Sequence, residues 1–321
     1  MIRFLSSIVV FAGLLALGLP ADPAQAQLAR TFVSAASGND ANNCDRPTPC
    51  RTFQGAHDKT FDQGEVIVLD PGGYGSLTIT KSISIVNDMA GAASIAVSGG
   101  ATGITVNAPP GGGYVNLRGI TVQGIGFGGG SGLVFNTGFS LTLSNCLIRN
   151  HTGNGILFAP STGGAYNLAI LNTVVADNGL FGIAIAPTSS AFLTLRAMLD
   201  RVTATSNSHD GLDVDGSLTT GPIKVTVTNS TMSNNLASGI VFATALGHAT
   251  VNGMVTHSVV ANNGLDGLGL ANASLWFGDS AITHNQKTVG LEGSFFIRSF
   301  GDNYIAGNGD GNPALPTIPT K

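Results

Sequence analysis

The chain carries a degenerate repeat that recurs every 23 to 29 residues between about residue 115 and residue 310. Each copy is most regular at a glycine that is followed by alternating apolar and variable residues. A period of this length is typical of stacked supersecondary units, none of which can bury its apolar face alone. The repeat therefore predicts a single solenoid domain. The glycines that begin these segments are Gly132, Gly155, Gly182, Gly211, Gly239, Gly267 and Gly290.

The segments within each copy follow one order. A short strand such as 141–143 is followed by a polar corner, a second apolar pair such as Leu147 and Ile148, an asparagine, a short turn and the glycine-led strand. Residues two positions apart in a strand share a face, so we predict inward columns that run along the solenoid. Each buried member contributes about 1.5–3 kcal/mol before the entropy cost. The two columns are Leu133, Ile156, Ile183, Leu212, Ile240 and Leu268, and Phe135, Phe158, Ile185, Val214, Phe242 and Leu270.

An asparagine stands four or five residues before the glycine in six copies. Neighbouring strands are about 4.8 Å apart, so stacked asparagine side chains can bond to one another along the axis. Asparagine also tolerates the left-handed backbone that tight corners need. We predict an internal structural ladder, with a sugar-binding row as the alternative. Its members are Asn150, Asn178, Asn207, Asn235, Asn263 and Asn285.

The first 26 residues have the pattern of a secretory signal. Arg3 gives a positive start, residues 8–19 form an apolar core, and Ala24-Gln25-Ala26 fits a cleavage site. The apolar run is shorter than a comfortable membrane span, and no second run of about 18 apolar residues follows. We therefore expect a secreted or periplasmic protein with no membrane span in the mature chain. A retained N-terminal anchor is the alternative.

The composition limits the classes of partner that we expect for this chain. Charged residues make up 10% of the chain, the net charge is −4 and no basic block is present, so we expect no nucleic-acid partner. Cys44 and Cys50 are close in sequence, and in an oxidising compartment we predict a disulfide between them, with two free thiols as the alternative. Cys146 occupies a repeat position held elsewhere by serine or threonine, which indicates a small semi-buried filler.

Both ends of the repeat array differ from its middle. Residues 27–51 are expected to form an irregular segment, and residues 52–310 the β-helix domain. Between residues 52 and 62 the apolar spacing predicts a short helix with Thr52 as its N-cap, ending by Gly64 and covering the open end of the solenoid. Residues 311–321, with three prolines, are expected to be a flexible tail. An aromatic cluster that includes Trp276 and Phe296 is expected to close the last coil, with sugar stacking as the alternative.

Several segments resemble a known family. These are Thr52-Phe53 with Ala56, the segment 66–74, the segment 79–85 and the coils of the form Asn-x₃₋₄-Gly-Ile-x-Phe. Together, over about residues 52–310, they resemble right-handed parallel β-helix proteins of the pectin-lyase-like superfamily. The resemblance implies an all-β, right-handed parallel β-helix with a short N-terminal capping helix. The superfamily includes lyases, hydrolases, epimerases, esterases and adhesins, and the segment 37–53 is similar to secreted bacterial members without an assigned activity.

One stretch concentrates chemically capable side chains. Residues 208–215 contain His209 and three carboxylates, and if Leu212 and Val214 point inward then Asp213 and Asp215 point outward, about 6.6–7 Å apart. This separation suits two carboxylates on either side of a glycosidic bond with a water between them. We therefore select Asp213 and Asp215 as candidate catalytic residues with His209 in support.

Two turn residues extend this set. Asp210 and Asp266 each precede a coil glycine, and we select them as candidate ligand-binding residues. Asn154 and Ser238 occupy the same turn position in other coils, so ordinary turn chemistry is the alternative explanation. Carboxylates of this kind can bind Ca²⁺, which is the candidate ion, but no metal-site spacing is present and no cofactor is predicted.

The sequence therefore supports three functional hypotheses. The first is an exported, non-catalytic module that contacts polysaccharide or another surface along its flank. The second is a lyase or glycoside hydrolase acting on acidic polysaccharide. The third is a structural or adhesive solenoid without a glycan ligand. The resemblance implies that a lyase would use an arginine or lysine as base, and no such residue stands in the glycine-led strands beside Asp213.

Overall fold

The structure is a computed structural model that describes residues 27–318. It is an all-β parallel solenoid in which each complete coil contributes one strand to each of three sheets, so the predicted fold class is confirmed. The described residues include two short helices, the α-helix Phe53–Lys59 and the 3₁₀ helix Ile125–Phe127. The predicted signal segment 1–26 and residues 319–321 lie outside the described residues.

Sheet I has eleven strands, sheet II ten and sheet III nine. Sheet I consists of Leu28–Val33, Thr60–Val68, Ile83–Val86, Tyr114–Arg118, Ser140–Ser144, Gly164–Leu171, Leu193–Asp200, Pro222–Thr228, Thr250–Thr256, Ser274–Gly278 and Phe296–Ser299. Sheet II consists of Gly72–Gly73, Ala93–Val97, Ile120–Gly124, Leu147–Arg149, Val174–Ala176, Thr203–Thr205, Thr231–Ser233, Val259–Ala261, Ala281–Thr283 and Tyr304–Ala306. Sheet III consists of Leu77–Ile79, Ile104–Asn107, Leu133–Thr137, Ile156–Phe158, Ile183–Ile185, Leu212–Asp215, Ile240–Ala243, Asp266–Ala271 and Lys287–Glu292.

The predicted inward columns lie in sheet III and face a continuous core. Ile183 pairs in register with Ile156 on one side and Leu212 on the other, and all three side chains are fully buried. In the second column the rings of Phe135 and Phe158 stack with their centroids 4.3 Å apart. Period-two alternation in each strand therefore produces the core because consecutive coils keep the same register.

The asparagine row and the glycine row are two parts of one device. The side-chain amide of Asn207 donates to Oδ1 of Asn235 over 3.0 Å, and the main-chain N–H of Asn207 donates to the same oxygen over 3.1 Å. A Cβ on Gly211 would lie only 2.8 Å from Nδ2 of Asn235. The coil glycine is therefore required because the ladder asparagine of the next coil passes directly against it. The ladder in the structure comprises Asn178, Asn207, Asn235, Asn263, Asn285 and Asn308.

The prediction that Asn150 belongs to the ladder is wrong. The buried His151 holds that position, and its main-chain N–H donates to Oδ1 of Asn178 over 3.3 Å. Asn150 is the preceding corner residue, in the left-handed region with φ 62°. Corner and ladder positions both favour asparagine but for different reasons, left-handed backbone at one and side-chain bonding at the other. Counting four residues back from Gly155, as in the four following coils, would have identified His151.

The repeat was also misaligned in the last coil. Gly290 pairs with Gly269 rather than with Gly267, which lies opposite Thr288. Thr288 is fully buried, and its N–H and hydroxyl both donate to the carboxylate of Asp310. The glycine that stands out in the sequence of this coil therefore occupies an outward position of sheet III.

The ends of the solenoid differ in part from expectation. The segment expected to be irregular contributes the strand Leu28–Val33, which pairs with Thr60–Val68 and begins sheet I. The capping helix ends at Lys59, earlier than predicted, because the chain turns into a strand at Thr60, but its predicted N-cap is confirmed: Thr52 accepts from the N–H of Gly55.

The predicted disulfide is confirmed, and part of the predicted tail is packed. Cys44 and Cys50 are joined with their Cα atoms 4.7 Å apart, and both residues are buried. Thr317 pairs with Ser299, so the packed chain extends beyond the predicted boundary at residue 310. Within residues 27–318, no helix is both long and apolar enough to cross a membrane.

Candidate functional site

The two candidate aspartates lie on the outer face of sheet III. In the strand Leu212–Asp215 the two apolar residues are fully buried, whereas Asp213 and Asp215 are only partly buried. In the adjacent strands Asp213 pairs with Ala184 and Val241, and Asp215 pairs with Ala243. Two carboxylates therefore lie at alternate positions of one strand, on a surface that is apolar in the neighbouring coils.

Asp210 is buried in the turn before this strand. Its Oδ1 accepts the main-chain N–H of Ser238 over 2.6 Å, and its Oδ2 lies 3.2 Å from Nδ1 of His209. Asn154 makes the equivalent bond to the N–H of Phe181 in an earlier coil, over 3.2 Å. The primary role of Asp210 is therefore to join successive turns, as the turn-chemistry alternative predicts.

His209 is half exposed and lies at the edge of this cluster. Its ring packs on the ring of Phe181 with centroids 4.4 Å apart, which fixes its orientation. Within residues 27–318, no hydrogen bond or ion pair connects His209 to Asp213 or Asp215. The structure thus brings His209 together with Asp210 and leaves the two strand aspartates separate from it.

Asp213 has an altered acidity. Burial against apolar neighbours, together with the nearby carboxylates of Asp210 and Asp215, raises its pKa to about 7. Asp215 accepts the main-chain N–H of Ser217 over 2.8 Å. The pair therefore combines a carboxyl group whose pKa is near neutral with a second carboxyl group that accepts a main-chain hydrogen bond.

A groove continues from this cluster toward the C-terminal end of sheet III. It has a volume of about 310 Å³. Its base carries no side chains where Gly269 and Gly290 occupy the column of Asp213. Asp266 and Lys287 pair in register at one side, and Glu292 lines the other. Burial raises the pKa of Asp266, and the charge of Lys287 opposes that shift.

Sequence reasoning missed this groove because of the misaligned last coil. Glu292 lies in the column of Asp215, three strands away through Ala243 and Ala271. Asp266 follows Asp210 by two coils, since Ser238 holds the turn position between them. Lys287 was not selected at all, although the spacing of five residues from Asn285 to Gly290, against four in the preceding coils, was a signal that this coil differs.

The carboxylates of this face, Asp210, Asp213, Asp215, Asp266 and Glu292, are spread along it. In the part of the chain that the structure describes, no three His, Cys, Asp or Glu side chains converge on a position that could hold a metal ion. The face can therefore offer hydrogen bonds to hydroxyl groups along its length, and binding of Ca²⁺ would require side-chain movement or oxygen atoms from the ligand.

Three solved proteins with the same fold carry the names of enzymes that act on polysaccharides. The pectate lyase Pel9A superimposes with a TM-score of 0.61 at 18% identity, over 88% of this chain and 77% of its own. The A-module of mannuronan C-5 epimerase AlgE4 from Azotobacter vinelandii gives 0.58 at 19% identity, over 74% and 67%. The AlgE6 A-module from the same organism gives 0.55 at 19% identity, over 75% and 68%. At these identities the similarity establishes the fold, which confirms the resemblance. Among family models and curated proteins, none matches the sequence.

Proposed function

We propose that the protein is an exported polysaccharide-contacting β-solenoid that holds a glycan along the outer face of sheet III without cleaving it. The observation that carries the proposal is the pair Asp213 and Asp215, two outward carboxylates in columns whose neighbouring coils supply alanine and valine. Folding does not require charge there, since those neighbours form the same sheet without it. A carboxyl group beside apolar surface suits the hydroxyls and the C–H faces of a sugar.

The electrostatic environment favours binding over a lyase reaction. The charges that act on Asp213 come from Asp210 and Asp215, both acidic. Proton removal by a lyase would need a base and neutralisation of the substrate carboxylate, and a cluster of acidic groups repels such a substrate. The cation of this face, Lys287, is in register with Asp266 and three strands from the aspartate pair. We therefore infer that a sugar at Asp213 is neutral.

A glycoside hydrolase is the second candidate, and the acidity of Asp213 favours it. A carboxylic acid with a raised pKa, as Asp213 has, beside a second carboxyl group is the combination that general acid catalysis of glycoside cleavage requires. The two residues alternate on one strand, so their separation of about 6.6–7 Å is at the short end of the range for an inverting reaction. In that case Asp213 would protonate the leaving oxygen and Asp215 would activate water.

One experiment separates the two candidates. The purified protein is titrated calorimetrically with neutral glycans and with polyuronates, with and without Ca²⁺, while new reducing ends and unsaturated products are measured in the same samples. We expect binding of a neutral glycan and no product. Accumulation of reducing ends would replace the binding proposal with the hydrolase, and unsaturated ends would replace it with a lyase.

The variant Asp213→Asn with Asp215→Asn tests the site itself. We expect at least tenfold weaker binding of the best neutral glycan, because both carboxylate acceptors are removed while the shape is kept. Asp279→Asn is the matched control: Asp279 is an exposed carboxylate at a corner after sheet I, paired with His257 over 3.0 Å. Unchanged binding in the double variant would refute the assignment to sheet III.

A further inference from the structure

The outer face of sheet I has a chemistry opposite to that of sheet III. Arg196 and Lys224 occupy in-register positions on adjacent strands, and both side chains are exposed. The next strands in the same column place Asn252 and then Ser274. Like charges on directly opposed positions of neighbouring strands destabilise a sheet. The repulsion between Arg196 and Lys224 therefore destabilises the fold, and an anionic ligand bound to both would remove that repulsion.

These two cations differ from others on or beside the same sheet. Arg30 is paired with Glu65 over 2.9 Å, Arg118 with Asp88 over 2.8 Å and Arg201 with Asp200 over 2.7 Å. Within residues 27–318, neither Arg196 nor Lys224 has a carboxylate partner or a side-chain hydrogen bond. Arg298, the other outward cation of sheet I without a carboxylate partner within residues 27–318, is stacked on the Phe296 ring, so Arg196 and Lys224 are the cations of this face that remain available to a ligand.

An aromatic surface lies beside them. A groove of about 390 Å³ extends from Lys224 past Asn252 and Met254 to Trp276. The ring of Trp276 packs against Phe296 with centroids 5.4 Å apart, and the guanidinium of Arg298 covers the Phe296 ring at 4.1 Å. Trp276, in register with Met254, is consequently held as a fixed, partly exposed plate in the column next to the one that contains Arg196, Lys224 and Asn252.

We propose that this face of sheet I, defined by Arg196, Lys224, Asn252 and Trp276, is a second glycan-binding surface, and that it takes an anionic polysaccharide chain. Adjacent strands are about 4.8 Å apart, a spacing comparable with one hexose unit, so successive coils can contact successive sugars. The cations bind the acidic groups, the amide binds hydroxyls and the indole stacks on a sugar face. This surface is separate from the one proposed on sheet III.

The charge of the face favours a glycan over other anions. A membrane surface or a nucleic acid is bound through many cations, each contributing about 1 kcal/mol at a lipid surface. Two free cations, a neutral amide and an indole are too few charges for such a surface, but they match a chain that carries one acidic group per sugar and hydroxyls between.

Trp276 provides a direct test because it is the one tryptophan of the sequence. The protein is titrated at low ionic strength with oligogalacturonates while tryptophan emission and calorimetric heat are recorded. We expect saturable binding with a change in emission, and an affinity that falls with added salt. Neutral dextran oligomers should leave the emission unchanged. Heat without any change in emission would place the bound chain elsewhere and overturn the proposal.

Charge variants complete the test. Arg196→Gln with Lys224→Gln should weaken oligogalacturonate binding at least tenfold and reduce its salt dependence. Arg118→Gln, which removes an ion-paired cation from the same sheet, should bind as the wild type does. Wild-type affinity in the double variant would refute the proposal, as would stronger binding to vesicles of phosphatidylserine and phosphatidylcholine than to the glycan. The variant Asp213→Asn with Asp215→Asn should retain this binding, so a failure on sheet I is distinguishable from one on sheet III.

Discussion

Inward and outward positions of the same strands follow different rules in this protein. In the strand Leu212–Asp215 the inward residues belong to columns that remain apolar through consecutive coils. The outward residue Asp213 is flanked in its own column by Ala184 and Val241. The fold therefore depends on what repeats, and the chemistry lies in the residues that depart from the repeat. In a solenoid, the outward residues that depart from the repeat are therefore the first place to look for function.

The same contrast separates two outer faces. Sheet III presents carboxylates around Asp213, and sheet I presents the free cations Arg196 and Lys224. The net charge of −4 is a sum over the whole chain and does not show this segregation. Because both faces are built on the same coils, substitutions on one can be compared with substitutions on the other in a constant scaffold.

The largest effect is expected inside sheet III. Ile183→Asp would place an unpaired charge in a fully buried column, and we expect it to reduce the free energy of unfolding by at least about 4 kcal/mol. Val134→Asp, at an outward position of the same sheet, should cost about 1 kcal/mol or less. Urea unfolding followed by circular dichroism measures both. Similar losses in the two variants would break the comparison between inward and outward positions.

The columns behind this prediction could be read from the sequence because alternation reports directly which residues face inward. The ladder was predicted for five of its asparagines, but Asn150 was mistaken for a member because corner and ladder positions favour the same residue type. The groove beside Gly290 depended on the exact register of an atypical coil. The acidity of Asp213 depends on burial by neighbouring coils, which no local pattern encodes.

The second largest effect is expected in the asparagine ladder. Asn235→Ala would remove the acceptor of two bonds from Asn207 and the donor of bonds to Ala204 and Asn263. Buried groups left without partners cost about 1–3 kcal/mol each, so we expect a loss of roughly 3 kcal/mol. Asn252→Ala, the same change at an outward position of sheet I, should stay within about 0.5 kcal/mol. Chemical unfolding of the two variants gives the difference, and a ladder variant as stable as its control would contradict it.

A smaller effect, of opposite sign, is expected at Asp213. Its raised pKa means that the folded protein binds the proton more tightly than the unfolded chain, so folding is weakened as pH rises from about 4 toward 7. One pKa unit corresponds to about 1.4 kcal/mol, so Asp213→Asn should stabilise the protein by at least about 1 kcal/mol at pH 8 and little at pH 4. Thermal unfolding at the two pH values is the measurement, with Asp279→Asn, a change at an exposed carboxylate away from this cluster, as the control. No gain at pH 8 would mean that the carboxylate is better solvated than its position indicates.

The smallest effect is expected at His151, the buried residue that takes the place of an asparagine at the N-terminal end of the ladder. Burial lowers its pKa, and its Nδ1 is buried without a hydrogen-bond partner. The unfolded chain therefore binds the proton more readily, so this residue reduces stability as pH falls below about 6.5, the pKa of an exposed histidine.

An asparagine at position 151 could donate from its amide to Oδ1 of Asn178, as the later ladder members do to theirs. We expect His151→Asn to change the melting temperature little at pH 7.5 and to raise it by a few degrees relative to wild type at pH 5. His57, whose pKa is also lowered by burial, stays in both proteins, so the difference between their pH profiles isolates position 151. Parallel profiles would show that the neutral ring is not what this coil requires.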